Sequence, residues 1–326
     1  MNADGVLVEV RGLTKSFPAG RGRSVHAVDG VTLDIARGET LGLVGESGYG
    51  KTTLGRLICR LEEASSGSVM FDGVEITRLR DKELRALRPR MQMIFQDPFS
   101  SLNPHKTVEQ IVGLPVWLRG MRGREAIRAR VGQLLQLVGL DPSQARRFPH
   151  QFSGGQRQRI GIARALACEP DLIIADEPVA SLDVSIQAQI LEVLRRLQER
   201  FRLTAVFISH DISVVSHVSQ RIAVMYLGRV VEVGPAQAVI RESLHPYTRA
   251  LLAAVPRIGR SAGRAATVLS GDLPSPIAVP SGCRFHTRCY LDQVPECRTL
   301  EPELREVRQG HLAACHLVEE ATQRCQ

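Results

Sequence analysis

The residues with the clearest chemical purpose lie in a glycine-rich stretch, residues 45–52, whose sequence is GESGYGKT. This stretch fits the pattern G-x-x-x-x-G-K-[ST] at every fixed position. Glycines let the backbone curl so that several N–H groups point at phosphate oxygens, and the N-terminus of a following helix adds a partial positive charge. We expect Lys51 to reach the β- and γ-phosphates of a nucleoside triphosphate, and the Thr52 hydroxyl to bind Mg²⁺.

A pair of carboxylates follows a second apolar run. Leu172 to Ala175 is predicted to form a short buried strand, and Asp176 and Glu177 come directly after it. An aspartate at the end of such a strand can hold Mg²⁺, and the glutamate can accept a proton from an attacking water. Holding a metal requires only one acid, so the adjacent pair favours hydrolysis over binding alone.

Two other polar groups stand at the ends of predicted elements. His210 follows the apolar strand predicted for 205–208, a position suited to contact a γ-phosphate. Ser153 and the two glycines after it open a predicted helix, whose exposed N–H groups make a second anion-binding N-terminus. One nucleotide needs only one phosphate loop, so the second site suggests that two chains share a nucleotide.

These residues require an α/β scaffold to position them. An apolar run at 41–44 predicts a strand before the phosphate loop, and 53–61 predicts an amphipathic helix after it. We expect a parallel-dominated α/β core from residues 37–60 and 168–235, an antiparallel β portion from the first 35 residues and 66–78, and a helical insertion at about 97–166. Within the core, residues 221–234 predict a two-stranded return with Gly228 at its turn.

Composition limits the class of protein. The chain has 326 residues, 44% hydrophobic and 23% charged, enough for one large α/β domain with an appendage. The N-terminal residues do not resemble a secretory signal, and the sequence has no run of 18 apolar residues, so we expect a cytosolic protein. The net charge of +8 comes mainly from scattered arginines without interleaved aromatic residues, which favours solvated helix faces over a nucleic-acid groove.

Taken in order, these motifs resemble those of the ATP-binding cassette (ABC) ATPases. The phosphate loop matches Walker A, and the acid pair matches Walker B with its catalytic glutamate. Gln96 in IFQDP matches the Q-loop, SLD at 181–183 the D-loop, and Phe17 the aromatic residue that stacks on adenine. The signature SGGQ follows Phe152, where leucine is commoner in the family.

The resemblance implies a P-loop NTPase fold and a role for each matched residue. It implies that ATP and Mg²⁺ are bound by Phe17, Gly45, Glu46, Ser47, Gly48, Tyr49, Gly50, Lys51, Thr52, Thr53, Gln96 and Asp176. It implies that the catalytic residues are Glu177, His210 and Gln96. In a head-to-tail dimer, the nucleotide of the partner chain would meet the signature, namely Ser153, Gly154, Gly155 and Gln156, and Asp183 would be the D-loop aspartate.

Three further segments resemble one subfamily, the ATPase subunits of oligopeptide/dipeptide importers. They are residues 146–160 (RRFPHQFSGGQRQRI), residues 245–256 (HPYTRALLAAVP) and the stretch ending in GCRFHTRC. The sequence QDPFSSLNP, within residues 93–108, looks more like that of the second of the two ATPases. The resemblance implies import of di- or oligopeptides, or of related small solutes such as nickel. It also implies a heterodimer with a second, homologous ATPase subunit, two permease subunits, an extracytoplasmic solute-binding protein and a peripheral place on the cytoplasmic face of the membrane.

The alternative function is that of a soluble ABC ATPase acting on nucleic acid, which the positive charge would suit. Such proteins usually carry two cassettes or a long coiled-coil insertion. This chain has one Walker A motif and no sustained heptad pattern, so no nucleic-acid partner is expected.

The domain boundaries follow from the motifs and composition. We expect an ABC ATPase domain at 1–256, a linker at 257–281 rich in Gly, Ser, Ala and Pro, and a cysteine module at 282–326. Outside the module, Cys59 and Cys168 are expected in the core and Cys325 at the terminus.

The spacing of the module's four cysteines, C-x₅-C-x₇-C-x₁₇-C, is wider than common zinc or ferredoxin patterns. Spacing therefore leaves an iron–sulfur cluster, Zn²⁺ and free thiols open. The importer resemblance implies a [4Fe–4S] cluster, with Zn²⁺ as the alternative, held by Cys283, Cys289, Cys297 and Cys315. Tyr290 departs from the proline usual after the second cysteine, but no ligand is lost.

Overall fold

The computed structural model describes residues 5–20, 22–255, 274–275 and 277–318. In chain order, the strands are β1 (Val6–Pro18), β2 (Ser24–Ala36), β3 (Thr40–Val44), β4 (Ser66–Phe71), β5 (Val74–Glu75), β6 (Met91–Ile94), β7 (Leu172–Asp176), β8 (Thr204–Ser209), β9 (Arg221–Tyr226), β10 (Arg229–Pro235), β11 (Arg305–Arg308) and β12 (His311–Ala313). The α-helices are α1 (Lys51–Ile58), α2 (Asp81–Leu87), α3 (Val108–Leu118), α4 (Arg124–Leu137), α5 (Gly154–Leu166), α6 (Val184–Phe201), α7 (Ile212–Ser216), α8 (Ala236–Arg241), α9 (Pro246–Ala253) and α10 (Glu296–Thr299).

The chain divides into two compact units. The first contains the described residues up to Leu7, residues 35–40 and residues 78–208. The second contains residues 8–34, residues 41–77 and the described residues from Ser209 onward. Each unit draws on segments far apart in sequence, so long-range packing defines both.

The first unit is built on parallel strands and the helical insertion. β7 pairs in parallel with β6 on one side and with β8 on the other. Every residue of β7 is buried, which explains its unbroken apolar run, because a strand covered on both faces cannot alternate apolar with polar residues. α3, α4 and α5 form the helical insertion and pack on one another through buried aliphatic residues.

The second unit combines parallel and antiparallel strands. β3 pairs in parallel with β9, and β9 turns back antiparallel into β10. Gly228 stands at that turn with φ 83°, a left-handed conformation that favours glycine, so the predicted two-stranded return is confirmed. β1, β2, β4 and β5 form a second sheet in the order β2-β1-β4-β5, with β4 antiparallel to β1 and β5, as the sequence predicts for the N-terminal β portion.

The described part of the predicted cysteine module, residues 282–318 and hereafter the cysteine segment, adds two strands that the sequence does not predict. β12 pairs antiparallel with β10, placing Ala313 opposite Glu232, and β11 pairs with β12. Glu232 is fully buried, and its carboxylate accepts N–H bonds from Leu244 and His245. It also pairs with the His311 imidazole at 2.8 Å. The cysteine segment is thus bound into the second unit through strand pairing and a buried hydrogen bond between His311 and Glu232.

Several predicted boundaries shift by a few residues. The helix after the phosphate loop spans Lys51–Ile58 instead of 53–61. Arg60 has φ 52°, which is incompatible with continuing an α-helix. Most of the predicted linker, residues 257–281, lies outside the described residues, as does Cys325. No helix in the described part of the chain is both long and apolar enough to cross a bilayer.

Candidate nucleotide site

The glycine-rich stretch, hereafter the phosphate loop (residues 45–52), connects β3 to α1. β3 is entirely buried, which anchors the start of the loop. A Cβ on Gly45 would lie 2.1 Å from the Met225 carbonyl oxygen, and a Cβ on Gly50 would lie 1.7 Å from that of Ala27. Gly50 also has φ 91°, which L-residues rarely adopt. Two of the motif's glycines are therefore required by close backbone approaches.

The Lys51 ammonium is turned back onto the loop. Lys51 is buried, and its Nζ donates hydrogen bonds to the carbonyl oxygens of Gly45 at 2.6 Å and Glu46 at 2.9 Å. Thr52 and Thr53 are partly buried at the start of α1. Tyr49 is buried, with its ring edge-on to Tyr226 at 5.0 Å. The loop thus places one cation within a curl of backbone, the arrangement that phosphate binding requires.

The predicted acid pair lies at the end of β7 in the first unit. Asp176 is 2% exposed and Glu177 is 9% exposed. Glu177 has φ 43°, an uncommon left-handed conformation for a residue that is not glycine, and its N–H donates to the Ile208 carbonyl at 3.0 Å. The Gln96 side-chain amide donates to Glu177 Oε2 at 3.1 Å. The structure therefore brings together two of the predicted catalytic residues, 81 positions apart.

The predicted signature caps a helix of the first unit. Ser153 is the N-cap of α5, and its hydroxyl accepts the Gln156 N–H at 3.4 Å. In return, the Gln156 side-chain oxygen accepts the Ser153 N–H at 3.0 Å, which completes a capping box. Gly155 is buried, and a Cβ there would lie 2.4 Å from Ile186 Cγ2. Asp183 is the N-cap of α6 and is exposed.

The other predicted residues are exposed. Phe17 lies near the end of β1, and the Lys15 ammonium is 4.9 Å from the centre of its ring. His210 follows Ser209 and faces solvent. Ser47 and Gly48 of the phosphate loop are also exposed. These groups lie where a ligand from solution can reach them.

Two residues that contact the phosphate loop escape sequence reasoning. Tyr247 accepts a hydrogen bond from the Glu46 N–H, and Arg288 pairs with the Glu46 carboxylate. They lie 201 and 242 positions from Glu46, so no local spacing signals either contact. Both lie in segments that the importer resemblance singles out, and that is the only hint the sequence contains.

The four cysteines of the C-terminal segment are neighbours. The Cys283 N–H donates to the Cys297 carbonyl at 2.9 Å, and Cys297 and Cys315 share a buried apolar cluster with Leu244. Burial raises the pKa of the Cys315 thiol to about 12, with a further contribution from the other three sulfurs. Among the described residues, no three His, Cys, Asp or Glu side chains are arranged so that they could hold a single metal ion. The expected burial of Cys59 and Cys168 is confirmed.

Comparison with known proteins identifies the family of this chain. Residues 28–180 match the family model described as ABC transporter, and residues 231–297 match the one described as oligopeptide/dipeptide transporter, C-terminal region. YkfD of Bacillus subtilis is 49% identical over 318 residues, which cover 97% of this chain and 96% of that protein. The chain belongs to the ABC transporter ATP-binding family.

A further relative and a solved structure are also similar to this ABC ATPase. The oligopeptide transport ATP-binding protein AppF of Bacillus subtilis is 49% identical over 320 residues, covering 95% of this chain and 97% of AppF. Among solved structures, a dimer of the ATP-binding cassette MJ0796 bound to ADP and Pi superposes with TM-score 0.66 and 33% identity, covering 71% of this chain and 99% of that one. The predicted P-loop NTPase fold and ATPase activity are confirmed, with ATP as the nucleotide.

Proposed function

We propose that this ABC ATPase powers the import of peptides, or of related small solutes, across a cell membrane. The match of residues 231–297 to the oligopeptide/dipeptide transporter C-terminal region, in one chain with an ABC transporter match, carries the proposal. The identity with AppF along 95% of this chain supports it. In this proposal the chain works at the cytoplasmic face with two permeases, a second, homologous ATPase subunit and an extracytoplasmic solute-binding protein.

The phosphate loop of the second unit is proposed to hold the ATP phosphates. Its backbone curl and the Lys51 ammonium supply positive potential where the β- and γ-phosphates would bind. Phe17 and His210, both accessible from solution, are proposed to contact the adenine and the γ-phosphate. Thr52, at the start of α1, is proposed as a Mg²⁺ ligand.

Glu177 in the first unit is proposed as the general base. Its carboxylate is nearly buried, and the Gln96 amide holds Oε2 at 3.1 Å, which fixes its orientation. A fixed carboxylate can accept the proton of the water that attacks the γ-phosphorus. The buried Asp176 carboxylate suits a cation, and Mg²⁺ bound with ATP would offset the charge of the phosphates.

The signature and D-loop are proposed to meet the nucleotide of a partner ATPase subunit. Ser153 is exposed at the N-terminus of α5, where the helix offers its partial positive charge to an anion. Asp183 is exposed at the start of α6. Both belong to the first unit and lie at helix ends that an approaching chain can reach.

The permease is proposed to dock on the helical insertion. Large apolar side chains are exposed there, including Phe99 (61% exposed), Leu114, Trp117 and Leu118 (66% exposed). Leu114, Trp117 and Leu118 are spaced three and four residues apart on α3, so they share one face, and contiguous exposed apolar patches mark surfaces that bind other proteins. Cross-linking from a cysteine placed at Leu118 is expected to capture a permease loop in the assembled transporter. Cross-links to the permease from other parts of this chain instead would contradict this docking surface.

We propose that the four cysteines hold a [4Fe–4S] cluster. The chemistry of the donor set supports the proposal, because four thiols suit an iron–sulfur cluster and the sulfurs lie close enough to raise one another's pKa. Without a metal, burial keeps Cys283 and Cys315 protonated at neutral pH, so cluster binding would release protons. A bound cluster would supply cross-links among distant segments.

Metal analysis of anaerobically purified protein tests the cluster. About four irons and four sulfides per chain are expected. Cys289→Ser should lose them, whereas Cys168→Ser, a change at a cysteine outside the segment, should retain them. A colourless protein loaded with zinc would contradict the cluster and support the alternative metal.

Glu177→Gln tests the enzymatic half of the proposal. ATP hydrolysis by the assembled transporter should fall on the order of 100-fold or more, because the amide cannot accept the proton. ATP binding should persist, since the side chain keeps its shape. Near-normal turnover would contradict the role of Glu177.

Uptake of labelled peptides into proteoliposomes that contain the reconstituted transporter tests the transport half. ATP-dependent uptake is expected with the wild-type chain and not with Glu177→Gln. Hydrolysis that responds to nucleic acid but never to the permeases or the binding protein would instead support the soluble alternative.

A further inference from the structure

One carboxylate of the phosphate loop is held by the cysteine segment. Arg288, next to Cys289, is 6% exposed at its side chain and approaches Glu46 with both terminal nitrogens. Its Nη1 donates to Glu46 Oε2 at 2.9 Å, and its Nη2 donates to Oε1 at 3.1 Å. A two-pronged contact of this kind fits arginine and not lysine, because only the guanidinium presents two parallel donors.

The backbone of Glu46 is also held by a residue from the C-terminal part of the chain. The Glu46 N–H donates to Tyr247 Oη at 2.9 Å, and the Glu46 carbonyl accepts from Lys51 Nζ. Tyr247 is fully buried, and the Phe285 ring packs against it with 5.5 Å between ring centres. Tyr247 and the cysteine segment therefore fix the peptide whose carbonyl accepts from the Lys51 ammonium.

The negative charge of Glu46 matters because Glu46 is part of the phosphate loop. A carboxylate inside a loop that receives a triphosphate repels that ligand unless a cation offsets it. An arginine guanidinium stays charged in proteins, and both terminal nitrogens of Arg288 lie on the Glu46 carboxylate. Arg288 thus cancels a negative charge that would otherwise face the phosphates.

We infer that Arg288 is a positioning residue of the ATP site, through which the cysteine segment sets the affinity of the phosphate loop for ATP. The inference rests on the proposed role of the phosphate loop. It adds a regulatory route, because any change that moves Cys289 also moves its neighbour Arg288. Coupling between sites is reciprocal, so bound ATP also stabilises the cysteine segment.

Equilibrium binding of a fluorescent ATP analogue to the full chain tests the inference. Arg288→Ala should weaken binding on the order of tenfold, since an uncompensated carboxylate then faces the phosphates. Arg288→Lys should recover part of this loss, because it restores the charge without the second contact. Glu46→Gln combined with Arg288→Ala should bind more tightly than Arg288→Ala alone. Arg305→Ala, an exposed arginine on β11, is the matched control and should bind like wild type.

The double substitution separates a charge effect from a loss of structure. If Arg288 only supports the fold of its segment, Arg288→Ala binds the analogue equally weakly with and without Glu46→Gln, and that result overturns the inference. If Arg288→Ala does not fold, as judged by thermal unfolding, Glu46→Gln alone decides. Unchanged or tighter ATP binding is then expected, and weaker binding overturns the inference.

Lys51→Ala in the same assay distinguishes the two proposals. Loss of binding with Lys51→Ala but not with Arg288→Ala would refute the inference and keep the ATP site. Unchanged binding with Lys51→Ala would refute the assignment of the phosphate loop itself, and the inference with it.

Discussion

The two glycine-bearing helix N-termini, at α1 and α5, are completed in different ways. α1 begins after Gly50, which has φ 91° and no side chain with which to cap the helix. α5 begins after Ser153, which forms a capping box with Gln156. In this box the backbone N–H of each residue donates to the side-chain oxygen of the other. A helix start without a side-chain cap suits a resident anion, whereas a self-capped one is stable before any ligand arrives. We therefore expect a bound phosphate to complete the start of α1, whereas the start of α5 is already complete in the free chain.

A matched pair of glycine substitutions gives the largest expected effect. Gly50→Ala should destabilise the fold by about 3 kcal/mol or more, because the left-handed backbone is strained and the Cβ meets the Ala27 carbonyl at 1.7 Å. Gly155→Ala should cost less, about 2 kcal/mol, since its backbone is not left-handed, although its Cβ would crowd Ile186 Cγ2, a methyl of a β-branched side chain in α6 that rotates only with difficulty. Urea unfolding measures both. Equal losses would remove the contrast between the two helix starts.

A third helix, α9, has a cap that can titrate, so the stability that this cap contributes depends on pH. α9 is capped by the buried His245, whose Nδ1 accepts the Tyr247 N–H at 3.1 Å. Burial, outweighing the opposing charge of Glu232, lowers the pKa of His245 from 6.5 to about 4. The unfolded chain therefore takes up a proton at higher pH than the folded chain. Stability from the neutral imidazole is complete above pH 6.5 and is lost as the pH falls towards 4.

Stability curves at about pH 7 and about pH 4.5 measure this effect against His245→Asn, which keeps a capping acceptor but cannot titrate. Wild type should lose about 2 kcal/mol more than His245→Asn over this range. Parallel losses would mean that another group carries the pH dependence.

Lys51→Ala tests whether α1 is completed by an anion. ATP binding should weaken about 100-fold, because the only lysine side chain of the loop is removed from the curl it occupies. Lys82→Ala, on the exposed face of α2, serves as the control and should not change ATP affinity. A comparable loss in the control would point to general electrostatics instead of this loop.

Ser153→Ala gives the smallest expected change in stability, about 1 kcal/mol, from the loss of one helix cap. Thr107→Ala on α3 is its match, because Thr107 forms the same capping box with Gln110. Both should lower the melting temperature alike, but only Ser153→Ala should also slow ATP hydrolysis. If hydrolysis falls equally in both variants, Ser153 is only a cap.

Much of the candidate site can be predicted from the sequence, because its residues lie in short contiguous segments. The phosphate loop, the acid pair after β7 and the Gly228 turn each depend on neighbours within about ten residues, which a sequence pattern records directly. The sequence pattern begins the helix after the loop at residue 53, two residues late, because α1 starts directly after the left-handed Gly50 and has no side-chain cap that a pattern could detect.

The sequence by itself determined the family, the P-loop fold and which residues could handle phosphate, because those depend on local backbone geometry and residue chemistry. Only the tertiary structure decided which distant groups meet. It placed Gln96 on Glu177, joined β12 to β10, gathered the four cysteines, and set Arg288 and Tyr247 on Glu46. These contacts join segments with no shared periodicity, and packing alone brings them together.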